Sequence, residues 1–123
     1  MSKTILIAAM SAALASSSLA ADEFRHVVMF KFKPEATADK VEEIEKAFAE
    51  LPKKIKTIKA YEWGKSESVE GLNDGFTHCF LVTFKDKADL EAYLPHAEHK
   101  AFVEKLKPLL EKALVFDYKA KAE

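Results

Sequence analysis

Along residues 24 to 118 the spacing of apolar side chains switches from two to between three and four, returns to two for two segments, lengthens again and ends at two. Phe24, His26, Val28, Phe30 and Phe32 alternate with Arg25, Val27, Met29 and Lys31, the pattern of a strand with one strongly apolar face. Pro34 closes it. Thr37 can then cap a helix in which Val41, Ile44, Phe48 and Leu51 form one stripe, with Glu42, Glu43, Glu45, Lys46 and Glu50 outside it. Pro52 and the basic residues Lys53, Lys54 and Lys56 mark the end of that helix, where positive charge suits the helix dipole.

A second extended stretch, 58 to 68, carries Tyr61 and Trp63, and Gly64 inside it predicts a bulge or bend. Gly71 to Gly75 supplies turn chemistry, and Thr77 to Phe84 reads as a third strand rich in β-branched and aromatic residues. Asp86, with Asp89 three residues on, resembles a capping pair for a short helix through Leu90 and Tyr93 that Pro95 interrupts. A further helix from about Ala97 to Leu110 turns Ala101, Phe102, Leu106 and Leu109 inward, and Ala113 to Tyr118 forms the last strand.

Strand, helix, strand, strand, helix, strand is the order of the split βαβ, ferredoxin-like α+β arrangement, in which two helices cover one face of a four-stranded antiparallel sheet. The opposite face needs a cover too, and the chain has no further element to provide one. A homodimer closing sheet against sheet is the economical solution.

The first twenty residues stand apart from this pattern. Lys3 is the only charge before Asp22, the run from Thr4 to Ala21 is led by the apolar core Ile5-Leu6-Ile7-Ala8-Ala9-Met10, and Ser18-Leu19-Ala20 places small residues at both positions that a signal peptidase inspects. Residues 1–20 therefore read as a secretory signal peptide cleaved after Ala20, leaving a single domain at 21–123. The expected location is periplasmic or extracellular, with no stable membrane association after cleavage.

Loss of Lys3 with the leader moves the formal charge from -1 to -2, which argues against nucleic acid, whose binders concentrate positive charge. The single cysteine, Cys79, excludes an intrachain disulfide and any cysteine-based metal cluster. Its place in the apolar run His78-Cys79-Phe80-Leu81-Val82 predicts burial without a redox role.

The segments HVVMFKFKPEAT, YEWGKS, DGFTHCFLVTFKDKADLEAYLPHAEH and LVFDY, in this order and spacing, resemble the stress-responsive dimeric A/B barrel family over essentially all of the mature chain. The resemblance implies a dimeric α/β barrel of two ferredoxin-like subunits, and it carries no single chemistry. One branch, the plant polyketide cyclases of the olivetolic acid type, uses a Tyr-x-x-His-Pro-x-His stretch in a pocket between sheet and helices. Carried across residue by residue, the acid/base tyrosine and histidine fall on Tyr93 and His99, the first histidine of the stretch on His96, and a pocket-lining histidine of the first strand on His26. The proline of that stretch follows the first histidine in the cyclases and precedes it here, as Pro95.

The strand parity of His26 places Val28 and Phe30 on the same wall. His78 shares the parity of Phe80 and Val82 and is expected near His26, while Tyr61 and Trp63 would anchor the dimer or rim the pocket. The histidines lack a third ligand in a recognisable zinc spacing, and no phosphate-binding glycine loop or cofactor fingerprint is present, so neither metal nor cofactor is expected. Two functions fit: a stress-type protein holding a small hydrophobic or aromatic molecule, or a cofactor-free enzyme of the cyclase or monooxygenase kind with His99 and Tyr93 as acid and base.

Overall fold

The computed structural model describes residues 22–122, so the expected leader at 1–20 lies outside the described residues. Strand β1 spans Phe24–Phe32, helix α1 Ala38–Lys54, β2 Ile58–Lys65, β3 His78–Phe84, α2 Lys87–Tyr93 and α3 Ala97–Leu106. A 3-10 turn at Lys107–Leu109 leads into β4, Leu110–Lys119. The sheet order is β2-β3-β1-β4 with every neighbouring pair antiparallel, the ferredoxin-like arrangement.

Local chemistry sets the helix starts. The Thr37 side chain accepts from Lys40 N, Asp86 accepts from Asp89 N, and His96 accepts from Glu98 N, each satisfying a donor that the first turn leaves open. One face of the sheet then closes on the helices. Val28, Phe30, Phe80, Val82 and Phe84 meet Ile44, Phe48 and Leu51 of α1, Leu90 and Tyr93 of α2, and Phe102 and Leu106 of α3. Phe48 and Phe80 stack 4.3 Å apart at 5°, and Phe102 meets Phe48 edge-on at 4.9 Å. Burying one such side chain contributes about 1.5–3 kcal/mol.

Several sequence expectations move. Pro52 sits inside the last turn of α1 rather than beyond it; Ile55 N then closes the helix on Leu51 O at 2.8 Å. The irregularity in β2 falls between Ile58 and Ala60, and Gly64 pairs regularly with Cys79. Strand β2 stops at Lys65 instead of residue 68, and α3 stops at Leu106 instead of Leu110. Pro108 lacks the amide hydrogen another α-turn would use, so the chain tightens and β4 begins at Leu110, earlier than Ala113. Ala101 is exposed, because the inward stripe of α3 runs through Phe102 and Leu106.

The other sheet face carries no element among the described residues. Cross-strand register places Val27 beside Leu81 and Phe116, Met29 beside Cys79 and Leu114, and Arg25 beside Tyr118 on that face. Phe116 is 61% exposed. Cys79 is therefore only half-buried, a correction to its expected burial.

Candidate functional site

A cavity of about 260 Å³ lies between the sheet and the helices at the end where β1 begins. His26, Val28 and Phe30 of β1 form its floor, since alternate residues of a pleated strand share a face. Tyr93, Leu94, His99, Phe102, Val103 and Leu106 form the helical side, and Ala113, Val115 and Asp117 of β4 complete the rim. No helix covers β4 there, so Val115 remains 54% exposed and the cavity opens along the sheet edge.

The turn around Pro95 brings the polar groups together. Leu94 N bonds Leu90 O, His96 N bonds Tyr93 O, and α3 restarts with Lys100 N on His96 O. The His99 ring thereby lies 4.4 Å from the Tyr93 ring, and the His26 ring lies 5.9 Å from that same Tyr93 ring. His99 Nδ1 is 2.9 Å from the Leu94 carbonyl oxygen. A carbonyl only accepts, so Nδ1 carries the proton and Nε2 keeps a lone pair.

Burial pushes the pKa of His99 below its ordinary value, and the neighbouring His26 and His96 add to that effect against the Leu94 hydrogen bond. The imidazole is thus neutral at neutral pH. Burial, with a smaller contribution from Tyr61, holds the Tyr93 phenol protonated far above neutrality. His26 Nδ1 lies 2.6 Å from Asp117 Oδ1, so the carboxylate fixes the same tautomer, with Nε2 free.

Of the residues singled out in the sequence, His26, Val28, Phe30, Tyr93 and His99 line this one cavity. His96 does not: as N-cap of α3 it turns Nδ1 onto Glu98 N, 3.0 Å away, and is spent on its own helix. His78 is not near His26 either. It pairs with Phe30 whereas His26 pairs with Val82, a separation of roughly 13 Å along the strands. Trp63 stacks on His78 rather than at this cavity, and Tyr61 stacks on Phe48.

Asp117 and the Leu94 carbonyl were not anticipated. The signal for Asp117 was a carboxylate in the otherwise apolar stretch 113–118, on the parity of Ala113 and Val115. Among the described residues no group of three or more His, Cys, Asp or Glu side chains could hold a metal ion. No helix among them is long and apolar enough to cross a membrane.

Residues 24–120 match the model of the Stress responsive A/B Barrel Domain. Stress-response A/B barrel domain-containing protein HS1 of Arabidopsis thaliana is 39% identical over 95 residues, covering 77% of this chain and 87% of that protein. Olivetolic acid cyclase of Cannabis sativa is 33% identical over 94 residues, covering 76% and 93%. Among solved structures, the hydroxynitrile lyase of Passiflora edulis superposes with a TM-score of 0.78 at 25% identity, covering 83% of this chain and 96% of that one. A dimeric ferredoxin-like protein of unknown function from Jannaschia superposes with a TM-score of 0.69 at 25% identity, covering 78% and 97%.

Proposed function

Because the chain belongs to the stress responsive A/B barrel family, we propose that it is an exported homodimer that binds a small hydrophobic or aromatic molecule in the cavity of His26, Tyr93 and His99. The observation carrying this reading is the convergence of those three side chains on one cavity whose remaining wall is largely apolar. A few polar groups in an apolar concavity orient a ligand that the apolar wall binds. Dimeric relatives and the exposed apolar row of Leu114, Phe116 and Tyr118 support a second copy on the open sheet face. Lys3, the apolar run after it and Ser18-Leu19-Ala20 support export. The near-neutral charge balance speaks against nucleic acid as a partner.

A second reading, a cofactor-free acid–base enzyme, is favoured by one feature of the hydrogen bonding. Both imidazoles have Nδ1 tied and Nε2 available, with a protonated phenol next to both rings. In such an enzyme His99 Nε2 would take a proton from carbon beside a carbonyl, and the Tyr93 hydroxyl would donate to the carbonyl oxygen as charge develops there. The cyclase and lyase among the relatives act on small organic molecules through related frameworks, which makes this chemistry the natural one to assay.

Native mass spectrometry of the purified mature protein tests the first reading: a dimer retaining a small molecule is expected. Replacing His99 with Ala should weaken binding of a hydrophobic aromatic probe and leave the dimer mass unchanged. Unaltered probe affinity in that variant would refute the assignment of the cavity.

A further inference from the structure

A separate chain of hydrogen-bonded side chains stands at the opposite end of the same strands. His78 is buried, with Nε2 2.7 Å from Glu45 Oε2 and Nδ1 2.7 Å from Thr77 Oγ1. A carboxylate only accepts, so Nε2 bears the proton and Nδ1 presents its lone pair. In the neutral ring the Thr77 hydroxyl then donates to Nδ1. A hydroxyl aimed at a base that a carboxylate orients is the arrangement that activates an oxygen nucleophile.

Accessibility follows the same order. The His78 and Glu45 side chains are 6% and 13% exposed, whereas Thr77 is exposed. Thr77 immediately precedes β3, its backbone held by Phe30 O and Ser66 N, and its side chain hydrogen-bonds the neighbouring imidazole. The Trp63 ring lies parallel to that imidazole, 5.8 Å away at 5°, and holds its plane. The threonine borders a concavity of about 560 Å³ lined at this end by Trp63, Phe76 and Asn73, and at the other by Val27, Met29, Leu81 and Tyr118 of the open sheet face. A second copy on the open sheet face would cover that far end, while Thr77 lies four residues before Leu81 in the chain, at the Trp63 end.

We propose that Thr77, His78 and Glu45 form a second, acyl-transferring site that hydrolyses small aryl esters, the aromatic group resting against Trp63 and Phe76. Thr77 Oγ1 attacks the acyl carbon as its proton passes to His78 Nδ1. The bond to the aryl oxygen breaks, and the departing oxygen takes that proton, leaving an acyl-threonine ester. Water, deprotonated by the same nitrogen, then attacks the acyl carbon; the carboxylic acid leaves and the hydroxyl is restored. Glu45 is a positioning residue that keeps Nδ1 in its accepting tautomer.

The test incubates the mature protein with p-nitrophenyl acetate, following nitrophenolate release and mapping the acetylated residue by peptide mass spectrometry. A burst with acetate on Thr77 is expected. Thr77→Val should lower the rate about 100-fold while Thr77→Ser sustains it. Glu45→Gln should lower the rate and shift the imidazole nitrogen resonances of His78; if that variant does not fold, the two Thr77 variants decide. Acetate found only elsewhere, or Thr77→Val hydrolysing at the parent rate, overturns the proposal. Loss of turnover in His99→Ala but not in Thr77→Val would also overturn it, by moving the chemistry to the other cavity.

Discussion

His26 and Asp117, 91 residues apart in the chain, meet across neighbouring strands with Nδ1 and Oδ1 2.6 Å apart. The pairing is cross-strand in the strict sense, since the β1–β4 register sets the two residues opposite one another. It ties the floor of the cavity to its open edge. Asp117 is one-third exposed, so water weakens the bond without removing its directional effect on the imidazole.

Replacing Asp117 with Asn removes the charge while keeping the shape, and the amide can either accept from or donate to the ring. Stability should fall by only about 1 kcal/mol. Nitrogen-15 spectra of His26 should show a mixture of tautomers where the parent shows the Nδ1–H form. An unchanged tautomer would mean that Asp117 does not set it.

The depressed pKa of His99 fixes a sign for pH dependence. The unfolded chain takes up a proton at this residue near its ordinary value, about 6.5, before the folded chain does. The His99 contribution to stability is therefore present above that value and is lost as pH falls through the lower folded value. Binding that needs the free Nε2 should likewise persist somewhat below pH 6.5 and fail in more acid solution. Titration of the His99 ring by proton NMR checks this; a midpoint above 6.5 contradicts it.

Phe30 touches the rings of Phe32, Phe48, Phe80 and Phe102 and is 2% exposed. Phe30→Ala should cost about 3–5 kcal/mol, the transfer of the ring plus the cavity left behind. Denaturant unfolding measures it, and a loss below 1 kcal/mol would show that the surrounding rings collapse into the space.

Phe116 stands on the open sheet face beside Val27. A lysine there would bury a charge in the proposed dimer interface yet remain solvated in a monomer. Sedimentation velocity should find Phe116→Lys monomeric where the parent is dimeric. A parent protein that is monomeric throughout the micromolar range would dismiss the dimer.

N-terminal sequencing of the protein from its producing cell should begin at Ala21. Membrane-bound protein that retains Met1 would contradict the leader.

The sequence alone determined the order of elements, because hydrophobic period and capping are local: each helix or strand declares its buried face within a few turns. Thr37, Asp86 and the alternation from Phe24 to Phe32 all carried through to the folded chain. The resemblance placed His26, Tyr93 and His99 in one pocket, where the cavity lining now includes all three.

Local pattern had no means of fixing partners distant in sequence. The tertiary register opposed Asp117 to His26 and carried His78 away to Glu45, and it left Val115 uncovered at the sheet edge. His96 and His99 look equivalent as letters three apart. The first became a cap because the turn after Pro95 ends there, and the second reached Tyr93 because one further helical turn rotates it inward. Which side chains meet depends on strand register and helix phase, and both are set by packing the whole core rather than by any one segment.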